Sequence, residues 1–220
     1  MANQLDLEEQ EQLDELKHFW KQYGNAISWL LIVVLGAVAL WNGYQYWQRN
    51  QAAQAATMFD EVIKVARAGD ADRTDRAFAD MRDRFGSSNY TFQAGLLVAK
   101  SLYDSGKLEP AKAALKWVAD KSSDPGFASV ARLRLSAVLM DEKAFDQALA
   151  VLDAVSTEQF AGLVLDRRAD IFMAQGKKAE AKDAYLKAYK ALDERTEYRR
   201  LVEVKLNALG VNPGQDGVAK

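Results

Sequence analysis

The stretch LDRRADIFMAQGKKAEAKDAYLKA, residues 165–188, decides the fold of this chain. Its first half is predicted to be a helix that carries Ala169 and, three positions later, Phe172. Its second half is predicted to be a helix that carries Ala181 and, four positions later, Tyr185. Small side chains let two helices approach closely, large neighbours fill the groove between them, and a glycine lets the chain turn back. The stretch therefore predicts a helical hairpin of the kind found in repeat arrays.

The same pattern occurs twice upstream, so that segments at about 91–121, 128–159 and 162–193 align. The matching small and large residues of the first two segments are Ala99 and Leu102, Ala111 and Leu115, Ser136 and Leu139, and Ala148 and Leu152. The predicted turns fall at Gly106, Lys143 and Gly176. The hairpin is thus predicted three times in succession.

The spacing of these hairpins indicates the kind of array. The alanines at 111, 148 and 181 are 37 and 33 residues apart, on either side of the tetratricopeptide period of about 34 residues. We therefore predict an all-α fold, in which a single N-terminal transmembrane helix is followed by a tetratricopeptide-like α-solenoid. An unrelated bundle of helical hairpins is the alternative, because alanine-rich helices produce similar spacings by coincidence.

Helices are also predicted on both sides of the three hairpins. A pair at about 52–68 and 73–85 is interpreted as a divergent first repeat. A last helix at 197–209, with Leu201, Val204 and Ala208 on one face, is expected to cap the array.

The N-terminal part of the chain has the pattern of a membrane anchor. Between Lys21 and Arg49, 27 consecutive residues carry no charge. As a helix, residues 26–47 would be about 33 Å long at 1.5 Å per residue, which matches a hydrocarbon core of about 30 Å. A buried core helix and a cleaved signal peptide are the alternatives. Charge does not decide the orientation, since the basic residues are nearly balanced across the segment.

These patterns divide the chain into four predicted regions. An acidic leader at 1–25 contains an amphipathic helix, whose apolar stripe is Leu13, Leu16, Trp20 and Tyr23. An uncleaved transmembrane helix follows at 26–48, then the repeat domain at 49–209, and then a flexible tail at 210–220. The acidic leader is either a plain solvated helix or a docking element for a basic partner.

The composition excludes most kinds of chemistry. Cysteine is absent, His18 is the single histidine and the net charge is −2, so disulfides, thiolate or histidine metal sites and nucleic-acid binding are not expected. Asp166 and Asp170 lie one helical turn apart, a spacing that catalytic carboxylates of a hydrolase can have, but we interpret them as part of a solvated face. We therefore predict a protein that is not an enzyme, with no catalytic residues, no metal and no cofactor.

The sequence predicts instead a surface that binds other polypeptides. Tetratricopeptide arrays present a concave face, and Met side chains there adapt to varied apolar partners. The repeat spacing predicts that this face contains Gln93, Leu96, Lys100, Tyr103, Val130, Leu133, Met140, Leu163, Asp166, Asp170 and Met173. Some of these side chains could instead be packed beneath the C-terminal helix. A clamp for a terminal carboxylate is disfavoured, because Lys100 is nearly the only cation of the set.

Several motifs together resemble one known family over nearly the whole chain. The leader ends in FWKQYG at 19–24, the span ends in WNGYQYW at 41–47, and the following helix pair closes with SSNY at 87–90. Degenerate repeats then follow. In this order the motifs resemble the YfgM family, the ancillary subunit of the bacterial Sec translocon.

The resemblance implies more than the composition and spacing do. It implies a single-pass protein of the cell inner membrane, with the leader in the cytoplasm and the repeats in the periplasm. It implies as partners the SecYEG translocon, the periplasmic chaperone PpiD and emerging secreted proteins, which the repeat domain would hold as a scaffold. A membrane-anchored signalling adaptor in envelope stress control is the alternative function. The family provides no catalytic residues to transfer.

Overall fold

A computed structural model of the chain describes residues 7–213, with side chains from residue 11 onward. Predictions for residues 1–6 of the leader and 214–220 of the tail lie outside the described residues. Within 7–213 the fold is all-α, as predicted. Its helices are α1 (Leu7–Arg67), α2 (Ala71–Phe85), α3 (Asn89–Asp104), α4 (Leu108–Lys121), α5 (Pro125–Asp141), α6 (Phe145–Asp153), a short 3₁₀ helix (Glu158–Phe160), α7 (Ala161–Ala174), α8 (Lys178–Ala191) and α9 (Glu197–Ala208).

The chain forms two compact units, which divide between Ala53 and Gln54. The first unit consists of α1 up to this point, and it contains the uncharged segment. Helix α1 is long and apolar enough to cross a membrane, with a mean hydropathy of 2.0 in its most apolar window, and this window is 6% buried. A core helix of a water-soluble protein would instead be mostly buried. The predicted domain boundary at residues 48 and 49 stays a prediction.

The start of the helix at about 52 was not found, because α1 is continuous through this position. The residues around it are Gln, Ala and Asn with no Gly or Pro, so nothing in the local sequence ends the helix. The helix ends at Arg67, where Gly69 adopts a φ of +75°. Helix α2 then begins with Asp70, whose Oδ1 accepts a hydrogen bond of 2.9 Å from the backbone N–H of Arg73, as an N-cap does.

The second unit contains the three predicted hairpins, α3 with α4, α5 with α6, and α7 with α8. The alanines predicted to lie where paired helices touch, Ala111, Ala148 and Ala181, are all 0% exposed. Consecutive hairpins stack so that the first helices α3, α5 and α7 are neighbours. This stacking confirms the tetratricopeptide-like architecture.

The three hairpin turns share one backbone conformation. Gly106, Lys143 and Gly176 have φ values of 73°, 60° and 77°. In each turn the residue after the left-handed one donates a backbone hydrogen bond to the carbonyl five residues earlier. The bonds are Lys107 to Leu102 at 2.9 Å, Ala144 to Leu139 at 2.8 Å, and Lys177 to Phe172 at 2.9 Å. This is the Schellman arrangement that ends a helix at a left-handed residue. Lys143 therefore occupies a glycine position, as the alignment predicted.

The capping helix α9 buries a different face from the one predicted. Val202 and Leu206 are 0% exposed, whereas Leu201 and Val204 are 47% and 63% exposed. The helix has two apolar stripes, and the buried stripe also carries Lys205, whose side chain bonds to carboxylates of α7. This polar contact lies on the same side of α9 as Val202 and Leu206, and the hydrophobic pattern alone did not predict it.

Candidate functional site

The main candidate site is a groove on the face formed by the first helices of the hairpins. Its volume is about 530 Å³. The apolar side chains of its walls are Ala99, Leu115, Val130, Leu133, Ala137, Val138, Phe160 and Leu163. The polar side chains are Lys100, Tyr103, Arg134, Asp141, Arg167 and Tyr198. Helices α3, α5 and α7 provide most of these side chains, whereas Leu115 comes from α4 and Tyr198 from α9.

The structure brings together part of the predicted binding face. Five of its residues line the groove; they are Lys100, Tyr103, Val130, Leu133 and Leu163. They come from α3, α5 and α7, so the repeat spacing correctly related residues that are far apart in sequence. Whether they bind a partner stays a prediction.

The other six residues of the predicted face do not line this groove. Gln93 is exposed near the start of α3, and Met140 and Met173 are half-buried beside the core. Leu96 is 8% exposed and belongs to the core. Asp166 and Asp170 bond to side chains of other helices. The expectation that Leu96 and Asp166 present their side chains on the open face is therefore wrong, because both are buried.

Sequence reasoning missed several residues of the groove, including both of its arginines. Arg134 stands four positions after Val130, and Arg167 stands four positions after Leu163. Residues four apart lie on the same face of a helix, so extending the predicted stripe by one turn would have found both. Tyr198 carried no such signal, because it belongs to the capping helix and not to a repeat.

Polar contacts order one side of the groove. The Tyr103 hydroxyl donates to Oδ2 of Asp141 at 2.5 Å, which links α3 to α5. The pKa of Tyr103 is raised above its ordinary value, because its hydroxyl donates to this carboxylate and the nearby negative charge disfavours a phenolate. Lys100 Nζ pairs with Oδ2 of Asp104 at 2.6 Å.

A buried network of charges fastens α9 to α7. The Asp166 side chain is 1% exposed, and Lys205 Nζ lies 2.8 and 2.9 Å from its two oxygens. The Tyr198 hydroxyl donates to the same carboxylate at 2.6 Å. Lys205 also donates to Oδ1 of Asp170 at 2.7 Å, and this oxygen accepts a further hydrogen bond of 2.5 Å from the Tyr185 hydroxyl.

This network corrects the interpretation of Asp166 and Asp170 as a solvated face. A buried carboxylate is stabilised only when a cation and hydrogen-bond donors meet it, and Lys205 and Tyr198 meet Asp166. Burial, followed by the hydrogen bond to the carboxylate, raises the pKa of Tyr198 above its ordinary value, and the same causes raise the pKa of Tyr185. Since Tyr198 also lines the groove, the network positions one of its walls.

Stacked helical hairpins with an open groove on their first helices define a domain of the tetratricopeptide class. The family model for a tetratricopeptide repeat-like domain matches residues 17–211. Three similar relatives each carry the name ancillary SecYEG translocon subunit. They come from Neisseria gonorrhoeae, with 30% identity over 92% of this chain and 98% of the relative, from Haemophilus influenzae, with 28% over 92% and 98%, and from Escherichia coli, with 27% over 92% and 97%.

The chain belongs to the family of ancillary SecYEG translocon subunits. This confirms the resemblance inferred from the motifs of the leader, the span and the repeats. No solved structure matches the chain.

Proposed function

We propose that this chain is a non-enzymatic ancillary subunit of the Sec translocon in the inner membrane, where its repeat domain holds polypeptides. The names of its relatives support the association with SecYEG. The apolar helix α1 supports a single membrane anchor. By the family resemblance, the leader lies in the cytoplasm and the repeat domain in the periplasm.

The observation that carries the binding role is the open apolar groove between α3, α5 and α7. Burying one side chain of the size of Val, Leu or Phe contributes about 1.5–3 kcal/mol. A segment that buries two or three such side chains gains about 3–9 kcal/mol before the cost of association. Such binding is weak and reversible, which suits a protein that holds emerging secreted proteins, or the chaperone PpiD, and releases them.

Site-specific crosslinking tests the proposed binding site. A photoreactive amino acid replaces Leu133 or Leu163 in the groove, and a control variant carries it at Lys182, an exposed position on α8. During secretion, the two groove variants are expected to crosslink to polypeptides in transit or to the chaperone, whereas the control is not. Equal crosslinking at all three positions would contradict the proposed site.

Isolation of the protein from gently solubilised membranes tests the partners. At native abundance, the wild-type chain is expected to recover SecYEG and PpiD. The variant Leu133→Asp places a charge in the groove and is expected to lose polypeptide partners while it keeps the translocon. Recovery of neither SecYEG nor PpiD with the wild-type chain would refute the proposed assembly.

A signalling adaptor is the second candidate function, and the exposed stripe of the leader favours it. Leu16, Trp20 and Tyr23 are 62%, 59% and 47% exposed on one side of α1. A cytoplasmic regulator could bind this stripe. Deletion of residues 2–16 separates the two functions: an altered stress response with intact translocon association supports the adaptor, and an unchanged stress response argues against it.

A further inference from the structure

The cations of the groove differ in whether a carboxylate neutralises them. Lys100 pairs with Asp104 at 2.6 Å, and the Arg167 guanidinium lies 3.6 Å from Oδ2 of Asp170. Arg134 instead donates from NH1 to the backbone carbonyl of Leu96 at 3.0 Å. Among the residues that the structure describes, no carboxylate lies within ion-pair distance of Arg134.

Arg134 also has the surroundings that make a charge useful for recognition. It lies on α5, the middle helix of the groove, and its side chain is exposed. Its neighbours on this wall, Leu133, Ala137 and Val138, are apolar. Asp141, the carboxylate of the same wall, already accepts the hydroxyl of Tyr103. Beside an apolar wall the local dielectric is lower than in water, so the interaction of Arg134 with an incoming carboxylate is strengthened.

We propose that the groove prefers apolar segments that carry an acidic side chain, and that this carboxylate pairs with Arg134. The inference rests on the proposed function, and it adds the class of segment that is bound. Guanidinium binds a carboxylate through two parallel hydrogen bonds, which makes arginine selective for this group. A terminal carboxylate would need several converging free cations, whereas Lys100 and Arg167 already face carboxylates of the chain.

Paired peptides test this preference with the full chain in lipid nanodiscs. Two labelled peptides, both acetylated and amidated, share the same Leu, Val and Phe residues and differ only by Asp or Asn at the centre. Fluorescence anisotropy measures the Kd of each. The wild-type chain is expected to bind the Asp peptide about tenfold more tightly, since a charge-assisted hydrogen bond is about twice as strong as a neutral one.

Variants then assign the preference to one residue. Arg134→Gln is expected to lose the preference, so that the Kd values of the Asp and Asn peptides become nearly equal. Arg76→Gln is the matched control: Arg76 on α2 also donates to a backbone carbonyl, that of Asp72 at 3.2 Å, and lies outside the groove. This control removes the same charge and should keep the preference. Arg134→Lys retains the charge and should keep part of the preference for the Asp peptide. Binding by this variant would show that a substitution at this position does not misfold the groove.

The possible outcomes distinguish the inference from the function beneath it. Equal binding of the two peptides by the wild type overturns the inference and leaves the groove as a general apolar site. A preference that survives in Arg134→Gln also overturns it. If only peptides with a free terminal carboxylate bind tightly, the site is a terminal clamp and the inference is wrong. If neither peptide binds, the proposed function of the groove fails as well.

Discussion

At the scale of single residues, Lys205 is the cation of a largely buried network that joins α9 to α7. It neutralises Asp166 and Asp170, and the first of these has a side chain that is 1% exposed. Removing one partner of a buried ion pair costs more than the pair contributes, because the other charge stays buried without compensation. Substitutions in this network are therefore expected to destabilise the domain even where they leave the hydrophobic packing intact.

We predict that Lys205→Met lowers the free energy of unfolding by about 3 kcal/mol, since Asp166 loses its cation. Urea unfolding of the full chain in detergent, followed by circular dichroism, measures the change. Lys187→Met is the matched control, because Lys187 and Asp183 form an ion pair 62% and 65% exposed, and such pairs contribute about 0–1 kcal/mol. The double variant Asp166→Asn with Lys205→Met should recover part of the loss. Equal effects of the two lysine substitutions would contradict the prediction.

The raised pKa of Tyr198 predicts how stability depends on alkaline pH. In the unfolded chain a tyrosine loses its proton at a pKa of 10.0, whereas burial and Asp166 raise this pKa in the folded chain. The stabilisation is thus complete below the unfolded pKa and is lost as pH rises toward the folded pKa.

We predict that Tyr198→Phe makes the free energy of unfolding less dependent on pH above about 10, because the titrating group is removed. At neutral pH the same variant should lose about 1 kcal/mol, since Asp166 loses a hydrogen bond. Urea unfolding at a series of pH values measures both effects. The control is Tyr90→Phe, a partly exposed tyrosine outside the network. A wild-type pH profile in Tyr198→Phe would show that this hydroxyl is not the responsible group.

At the scale of the elements, the middle hairpin contains a conformational cost that the other two avoid. Lys143 has a φ of 60°, where the flanking hairpins have glycine. A left-handed conformation costs a residue with a Cβ atom about 1–2 kcal/mol, and glycine in turn costs about 0.5–1 kcal/mol through the entropy of the unfolded chain.

We predict that Lys143→Gly raises the free energy of unfolding by about 0.5–1 kcal/mol, because the relief of backbone strain exceeds the entropic cost. The reciprocal change, Gly176→Ala, should lower it by about 1 kcal/mol. The urea midpoints of the two variants measure these shifts. A destabilising effect of Lys143→Gly would show that the lysine side chain contributes more than its backbone conformation costs.

The elements differ in how far the sequence predicts them. The hairpins were predictable because their signals are local: Ala111 and Leu115, for example, are four residues apart, and both are buried. The buried face of α9 was mispredicted, because the helix has two apolar stripes and the pairing of Lys205 with Asp166, 39 residues away, cannot be read from the local pattern. The groove follows the same rule: the stripe that includes Leu133 is local and was predicted, whereas Tyr198 comes from a distant helix and was missed. Periodicity reports contacts within a hairpin but not polar contacts between distant helices.

At the scale of the whole molecule, the proposed topology makes the leader accessible from the cytoplasm and the repeat domain accessible from the periplasm. We predict that protease added to spheroplasts digests residues 54–213 and leaves the leader protected, because an apolar span separates them. Antibodies against a tag at each end of the chain measure the outcome. A cytoplasmic protein known to stay intact is the control for lysis. Digestion of the leader alone would place the repeat domain in the cytoplasm and refute the proposed topology.

Tyr198 belongs both to the wall of the groove and to the network that holds the last helix. A guest that packs against this ring is thermodynamically coupled to the docking of α9, since whatever binds only the assembled state stabilises it. A bound polypeptide in the groove should therefore slow the detachment of α9 from α7. The docked helix should in turn slow the release of the polypeptide. The rate at which a carboxypeptidase digests α9 would then indicate whether the groove is occupied.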